Sequence, residues 1–222
     1  MTVLVIILIL INLTLWSDIF YRQFFKRFYD IILSGFAIVV ISPVLLVLTI
    51  LGALKMKGNP FFTQERPGKN EKIFKLVKFR SMTCDKDKNG NFLPDEKRLT
   101  DYGKKLRETS LDELPELINI IKGDMSIVGP RPLLVSYLPF YREREKVRHK
   151  VRPGLTGLAQ VCGRNFLDWD QRLEKDVEYV ETLSLLKDIA IVLKTVHQVI
   201  HHVGLSVVTN DEGNLAKIRG TK

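Results

Sequence analysis

The chain has 222 residues, a formal net charge of +9 and 45% hydrophobic residues. This length fits one domain together with a membrane element, and the positive charge indicates an anionic partner such as a lipid headgroup surface, a phosphorylated substrate or nucleic acid. Cys84 and Cys162 lie far apart and match no metal-ligand spacing, which argues against a disulfide framework and against a zinc site.

The first apolar stretch covers residues 1–16. It has no Lys or Arg ahead of its apolar run and no small-residue cleavage site, so it does not read as a secretory signal. It is shorter than the roughly 20 residues that a spanning helix needs. Spanning a thinned bilayer and lying in the membrane interface therefore both stay open.

The second apolar segment, Ile31 to Leu54, is long enough to cross a bilayer but carries Ser42 and Pro43 at its centre. Proline removes a backbone donor, so we predict a break at this point. Lysine and arginine prefer the cytoplasmic side, and they flank both ends of the segment. The pattern favours a re-entrant helix-break-helix that enters and leaves by the same face. A kinked spanning helix is the alternative.

The soluble part begins with a predicted β-hairpin over Asn59–Met82, around a Pro-Gly-Lys-Asn turn. Apolar residues spaced i, i+3, i+4 and i+7 predict a helix over Leu114–Ile121. The other predicted elements are a polar loop over 84–103, a short helix over Arg98–Arg107, a charged helical stretch over Tyr141–Pro153 and an amphipathic helix over Leu183–Val203. Arg142–Arg152 and Leu183–Val203 either lie on an anionic membrane surface or form a solvated helix and a core helix, respectively.

These elements predict an α+β fold dominated by helices, with a re-entrant membrane anchor, a small β-hairpin and amphipathic interfacial helices. The predicted divisions are an extra apolar segment over 1–20, the anchor over 21–57, a cytoplasmic catalytic domain over 58–205 and a polar tail over 206–222.

Ser110-Leu111-Asp112-Glu113 has two compatible interpretations. The spacing S-x-x-E is that of a capping box, and acidic residues are favoured at the start of a helix. A carboxylate held there also stays ionised, and an aspartate can form a covalent phosphoryl intermediate. Both roles stay open on these residues alone.

Several cations stand beside turns, glycines or prolines instead of repeating along one helix face. A guanidinium that is fixed in this way can bind phosphate through two parallel hydrogen bonds, although each one alone is more often part of a surface ion pair. The candidate phosphate ligands are Lys78, Arg80, Arg107, Arg131, Arg152 and Arg164.

The order of the motifs resembles the bacterial sugar transferase family, the small monotopic phosphoglycosyl transferases. The matching pieces are KRFYD, VKFRSM, TSLDELPELINIIKGDMSIVGPRPLL and VRPGLTGLAQVCGR, which run in the order of the family from about Phe25 to Val203. The long block from the Asp-Glu pair to Pro-Arg-Pro is the most specific of them. The apolar stretch before residue 20 departs from the smallest members of the family.

The resemblance implies that Asp112 attacks the β-phosphorus of a UDP-sugar and that polyprenol (undecaprenyl) phosphate then takes up the phosphosugar. It implies Glu113 as an acid/base or metal partner, Mg²⁺ held by Asp112 and Glu113 beside the diphosphate, and phosphate binding by the cations named above. Asp188 is a weaker candidate, which could instead only interrupt an apolar helix face.

The resemblance also implies membrane lipids as the surroundings, downstream glycosyltransferases as partners, and a place in the bacterial inner membrane with the active site on its cytoplasmic face. No nucleic-acid motif accompanies the basic residues, so we expect no nucleic-acid partner. A membrane-tethered phosphohydrolase and a non-catalytic anion-binding membrane protein are the alternative functions.

Overall fold

The computed structural model describes residues 18–163, 167–201 and 214–220. The expectations for residues 1–16, Arg164 and Val203 lie outside them. The described helices are α1 (Lys26–Lys55), α2 (Asp95–Arg98), α3 (Asp101–Glu108), α4 (Glu116–Lys122), α5 (Leu158–Cys162), α6 (Trp169–Glu181), α7 (Leu185–Ile200) and α8 (Asn214–Arg219). An antiparallel sheet pairs β1 (Phe61–Pro67) with β2 (Ile73–Phe79), and a parallel sheet pairs β3 (Ser126–Val128) with β4 (Gly154–Thr156). The predicted helix-dominated α+β class, its long N-terminal apolar helix and its hairpin are confirmed.

Helix α1 is continuous through Ser42 and Pro43, so the predicted break between two helices is not found. Pro43 has no N–H to offer to the carbonyl of Val39 one turn earlier. The hydroxyl of Ser42 donates to that carbonyl at 2.8 Å instead. This side-chain bond compensates for the missing backbone bond, and the helix continues. The re-entrant path through a membrane stays a prediction.

The first turns of α1 are joined to the rest of the fold by polar contacts. The Arg27 guanidinium donates to the carbonyls of Ile120 and Ile121 at 2.6 and 2.9 Å. Asp30 is buried and accepts from the Ser126 hydroxyl and the Ile127 N–H at 2.7 and 3.0 Å. These bonds place the start of α1 against the end of α4 and against β3.

The middle and end of α1 pack on apolar clusters of the same body. Its middle turns contact the cluster built on Phe74, Leu76, Leu117, Ile120 and Met125. Its last turns bury Leu48 against Phe79 and Leu106, and the Tyr102 hydroxyl donates to the Leu48 carbonyl at 2.9 Å. One side of α1 is therefore docked along nearly the whole helix.

The other side of α1 is an exposed apolar face. By length and composition, Asp18–Lys55 is the one helix among the described residues that could cross a membrane. Large apolar side chains that are more than half exposed on this helix are Phe24, Phe28, Ile32, Leu33, Phe36, Val39, Val40, Leu46, Val47, Ile50 and Leu54.

Helix α4 differs from its predicted pattern. The predicted apolar face included Ile118 and Ile121, but these side chains are 42% and 41% exposed. The buried face carries Glu116 and Asn119 alongside Leu117 and Ile120. Burial of the two polar residues is possible because β2 supplies partners for both of them.

The charged stretch Arg142–Arg152 is mostly taken up by contacts within the protein. Its only regular element among the described residues is a 3₁₀ turn, Glu145–Lys150. Arg144 pairs with Glu174 at 2.8 Å, and the buried Arg148 pairs with Asp176 at 2.9 Å. The expectation of a helix is therefore wrong, because these cations bind acids on α6 instead of facing one open side.

Helix α7 confirms the predicted amphipathic helix. Asp188 and Ile191 are buried on one side. The opposite side carries exposed apolar residues at helical spacing, namely Leu186, Ile189, Leu193, Val196 and Ile200.

Part of the predicted polar tail is a packed helix. In α8, Leu215 is fully buried among aromatic residues. Arg219 pairs with Glu145 at 2.6 Å. This contact across 74 positions could not be inferred from local composition.

Candidate active site

The two predicted catalytic acids lie in a 3₁₀ turn, Leu111–Glu113, just ahead of α4. The capping box predicted for this stretch is not formed. Ser110 has φ 56° and ψ 18°, in the left-handed region, and its side chain makes no cap bond. Because the backbone turns sharply at Ser110, Asp112 and Glu113 project from a turn and not from a regular helix start. We call Asp112 and Glu113 the dyad.

Glu113 lies between two cations. Its Oε1 accepts from the Lys78 ammonium at 2.8 Å and from the Arg131 guanidinium at 2.9 Å. Burial alone would raise the pKa of Glu113, but Arg131 and Lys78 outweigh burial and hold the pKa below its usual range. Glu113 is therefore an anion with one oxygen already bound, while its Oε2 accepts no hydrogen bond from the described residues.

A second acid shares Lys78. The Glu116 carboxylate is 3% exposed and its Oε1 lies 3.1 Å from the Lys78 ammonium. Burial would lower the pKa of Lys78, but Glu113 and Glu116 outweigh it and raise the pKa, so the ammonium stays charged. Burial raises the pKa of Glu116 to about 7, although Lys78 acts in the opposite direction. Arg131, Glu113, Lys78 and Glu116 thus form a row in which basic and acidic side chains alternate, which we call the charge row.

Both cations of the charge row are held by the backbone around them. Lys78 is on β2, paired with Phe62 of β1. Arg131 follows β3, where the Gly129 N–H donates to Thr156 and the Gly154 N–H donates to Pro130, both at 2.9 Å. The predicted rigidity of the Gly-Pro-Arg-Pro segment therefore has a structural basis.

Asp112 is the acid that stays available. No hydrogen bond or ion pair within the described residues uses its carboxylate. Burial, followed by the charge of Glu113, raises the pKa of Asp112 to about 6, while Lys78, Arg107 and Arg131 act in the opposite direction. At pH 7 about nine-tenths of such a group is ionised. The site therefore presents one unpartnered carboxylate surrounded by cations.

Arg107 and Arg80 do not belong to the charge row, and the charge of Arg107 acts on Asp112. Arg107 donates through Nε to the Ser81 hydroxyl at 3.0 Å. Gly103 allows this approach, because a Cβ there would lie 1.8 Å from the Ser81 carbonyl oxygen. Arg80 directly follows the last residue of β2 and lies two positions after Lys78. Its Nε is buried without a hydrogen bond, and within the described residues its guanidinium has no acidic partner.

Two predicted site residues have other roles in the fold. Arg152 donates to the Gly123 carbonyl at 2.8 Å and caps the end of α4 together with Arg27. Asp188 accepts from Tyr21 and Lys26, both at 2.6 Å, and from Tyr179 at 2.8 Å. It therefore ties α7 to the segment that leads into α1. Arg164 lies beyond the described residues.

Three residues near the dyad were missed from the sequence. Glu116 and Asn119 read as ordinary positions of an amphipathic helix, and Ser81 read as a position near the end of the predicted hairpin. Their partners lie 26 to 44 positions away. A polar residue inside an apolar period was the available signal for Asn119.

The described residues contain no group of three or more His, Cys, Asp or Glu side chains that could hold a metal ion. Within the dyad, the oxygens of Asp112 and Oε2 of Glu113 accept no hydrogen bond from the described part of the chain. Hard oxygens of this kind suit Mg²⁺, which typically keeps waters and takes further ligands from substrate phosphates. The donor set therefore fits Mg²⁺ bound together with a diphosphate.

A family model described as bacterial sugar transferase matches residues 21–202. The "uncharacterized sugar transferase EpsL" of Bacillus subtilis is 46% identical over 180 residues, covering 81% of this chain and 89% of that protein. The "UDP-glucose:undecaprenyl-phosphate glucose-1-phosphate transferase" of Klebsiella pneumoniae is 43% identical over 182 residues, covering 78% of this chain and 39% of that protein. The "exopolysaccharide production protein ExoY" of Sinorhizobium fredii is 38% identical over 190 residues, covering 77% of this chain and 83% of that protein. The chain thus spans most of EpsL and ExoY but about two-fifths of the Klebsiella protein.

Proposed function

Because this chain belongs to the bacterial sugar transferase family, we propose that it transfers a sugar 1-phosphate from a UDP-sugar to undecaprenyl phosphate, giving an undecaprenyl-diphosphate sugar and UMP. The Klebsiella relative is named for this reaction with glucose. The reaction would be the first membrane step of glycoconjugate assembly. The observation that carries the proposal is the unpartnered, mostly ionised carboxylate of Asp112, on which the charges of Lys78, Arg107 and Arg131 act.

In the first half-reaction an oxygen of Asp112 attacks the β-phosphorus of the donor. The bond from that phosphorus to the bridging oxygen breaks, and UMP leaves with this oxygen and its electron pair. In the second half-reaction a phosphate oxygen of the lipid attacks the same phosphorus and releases Asp112. Both nucleophiles are anions, so neither step needs a proton transfer. The chemistry depends mainly on neutralising negative charge and on in-line positioning.

The cations divide into two groups with different tasks. Lys78 and Arg131 are bound to Glu113, so their charge offsets the dyad itself. Arg107 and Arg80 have no acidic partner within the described residues, so their guanidinium groups are available to the donor diphosphate. Removing the second group is expected to raise the donor KM, while removing the first lowers kcat.

Mg²⁺ would be held by Asp112 and Oε2 of Glu113, with the remaining ligands from phosphate and water. When bound, it would supply positive charge beside the developing negative charge of the diphosphate. Lys78 and Arg131 orient Glu113 for this contact by occupying its other oxygen.

The docking of α1 supports one part of the re-entrant interpretation, namely that both ends of the anchor lie on the same side of the membrane. Because α1 has no break, the change of direction within the membrane would have to be a bend at Pro43. Contacts from Arg27 near its start to Leu48 near its end are made with one body. A straight helix crossing a bilayer of about 30 Å could not keep both ends against a body on one side. We therefore place both ends at the cytoplasmic face of the inner membrane, with the exposed faces of α1 and α7 toward lipid. The phosphate of a membrane-bound acceptor would then meet the dyad without the lipid leaving the bilayer.

The decisive experiment incubates the full chain with a panel of UDP-sugars, Mg²⁺ and undecaprenyl phosphate, and measures UMP and lipid-linked product. Asp112→Asn should abolish turnover because an amide is a poor nucleophile. Asp101→Asn, at an exposed aspartate in the first turn of α3, is the matched control and should keep the wild-type rate. Retention of a tenth of the wild-type rate by Asp112→Asn would contradict the covalent role.

Without acceptor, mass spectrometry of the wild-type protein mixed with the correct donor should find the phosphosugar on Asp112. Free sugar 1-phosphate in place of the lipid product would identify a phosphohydrolase. Donor binding without any product would identify an anion-binding protein.

A further inference from the structure

Asn119 links the strand that carries Lys78 to the helix that follows the dyad. It lies in the middle of α4 and is 1% exposed. Its side-chain oxygen accepts from the backbone N–H of Val77 at 3.0 Å. Its side-chain nitrogen donates to the backbone carbonyl of Lys75 at 2.8 Å. One amide thus pairs with two peptide groups of β2 as a neighbouring strand would.

The sheet geometry explains why this position needs an amide. Within the described residues β2 has one partner strand, β1, so its other edge would leave buried peptide groups unpaired. Asn119 supplies one acceptor and one donor at that edge. The Asp124 carboxylate, 3.2 Å from the same nitrogen, favours this orientation, because the flipped amide would turn its oxygen toward two other oxygens.

The paired peptide groups lie next to Lys78, whose ammonium binds Glu113 at 2.8 Å and Glu116 at 3.1 Å. These two acids lie on either side of the start of the helix that carries Asn119. A shift of β2 along α4 would change both ammonium–carboxylate distances at once. The hydrogen bonds of Asn119 oppose that shift, whereas apolar packing between Leu76 and Leu117 is not directional.

We propose that Asn119 is a positioning residue for the transfer reaction, which acts by holding the strand of Lys78 in register with the dyad. The inference rests on the proposed function, and it assigns a role to a residue that touches neither substrate nor dyad. Asn119→Ala removes both bonds to β2. Asn119→Asp keeps the size of the side chain but cannot donate to the Lys75 carbonyl.

The test introduces Asn119→Ala into the wild-type protein and into the Lys78→Met variant, and measures UMP release. The release is followed over minutes in the wild-type background and over hours in the Lys78→Met background. If Asn119 acts through Lys78, Asn119→Ala should lower kcat at least tenfold in the wild type and less than twofold in the second background. An equal loss in both backgrounds would overturn the positioning role, and so would an unchanged kcat in the wild type. If Asn119→Ala does not fold, the same comparison is made with Asn119→Asp.

Thr195→Val is the matched stability control. It removes the 2.6 Å side-chain bond between Thr195 of α7 and Thr156 of β4. Within the described residues, no hydrogen bond joins Thr195 to the dyad or to the charge row. It should lower the melting temperature and leave kcat within twofold, when rates are compared at equal distance below each melting temperature. A wild-type protein that releases no UMP with any donor would refute the proposed function, whereas an active wild type with an equally active Asn119→Ala would refute this inference alone.

Discussion

One carboxylate oxygen of Glu113 accepts hydrogen bonds from both Lys78 and Arg131, whereas the carboxylate of the neighbouring Asp112 has no partner within the described residues. Adjacent acids in one turn therefore have different electrostatic surroundings, and the pKa of Asp112 is raised while that of Glu113 is lowered. The tightly bound acid suits an orienting or metal-binding role. The less restrained acid suits attack on phosphorus, because its oxygen is not engaged elsewhere.

Ser110 sets the direction of the turn that carries these acids. A non-glycine residue in the left-handed region costs roughly 1–2 kcal/mol, and more for a β-branched side chain. Ser110→Gly should therefore keep full activity and raise the free energy of unfolding slightly. Ser110→Val should lower it by about 1–2 kcal/mol and reduce kcat, because the dyad shifts.

Ser136 is the matched control for Ser110, because it is exposed and is not among the described residues with positive φ. The test measures denaturant unfolding and UMP release for the glycine and valine variants at both positions. Equal effects of valine at positions 110 and 136 would contradict the role of backbone strain.

His149 is expected to make stability depend on pH. Burial, together with the nearby Arg148, lowers the pKa of His149 to about 4. Between pH 4 and the usual value near 6.5 the folded protein binds fewer protons at this site than the unfolded chain, so stability falls as the pH falls through this range. The loss of folding stability is on the order of 2 kcal/mol near the lower end of this pH range. It is absent above the usual pKa of histidine, near 6.5.

His149→Gln should remove this part of the pH dependence. The measurement is the melting temperature of both proteins from pH 4.5 to 7.5, read as the difference between them, because Asp112 and Glu116 titrate in both. Parallel curves would show that His149 does not contribute.

At the scale of elements, the contact surface of α1 depends on small residues. A Cβ added at Gly52 would lie 2.9 Å from Pro60 and 3.3 Å from the Tyr102 hydroxyl, whereas a Cβ at Gly35 would meet nothing within 4 Å. The two glycines therefore test docked and open positions of one helix. Gly52→Leu should cost about 1–3 kcal/mol and lower activity by moving α1 away from α3.

Gly35→Leu should leave both the melting temperature and the rate of UMP release near the wild-type values. Thermal unfolding in the same lipid or detergent checks both variants. Equal destabilisation by the two substitutions would show that helix propensity or lipid contact, and not docking, causes the loss of stability.

Comparison of these elements also shows which structural features the local sequence pattern can predict. The hairpin was predictable because its two strands and its turn lie within about 25 positions. The roles of Asp112 and Glu113 followed from the resemblance and stay a prediction. The break at Pro43 and the capping box at Ser110 were wrong, since a serine hydroxyl compensated in the first case and a left-handed residue intervened in the second. Arg152 was predicted for the site from its place beside Pro153 and Gly154, and Asp188 as a weaker candidate. The partners that they have in the structure are distant in the chain and are set by the tertiary fold.

At the scale of the whole molecule, the docking of α1 predicts one-sided topology. Cys84 and Cys162 are first replaced by serine, because both are exposed. Single cysteines at Phe25 and Lys57 should then both react with an impermeant thiol reagent from the cytoplasmic side of inverted vesicles, and neither from the opposite side. Labelling of the two positions from opposite sides would overturn the re-entrant arrangement.

The buried Asp30 and the pair of Lys26 with Asp188 also bear on the order in which the chain matures. Asp30 meets Ser126 across 96 positions, and Lys26 meets Asp188 across 162. At about 5–20 residues per second, a ribosome needs roughly 10–30 s to make the intervening chain. During this interval Asp30 and Lys26 lack these partners, because Ser126 and Asp188 have not yet been synthesised. The start of α1 thus completes its contacts late, and nascent chains stalled before residue 188 should remain easy to extract from membranes.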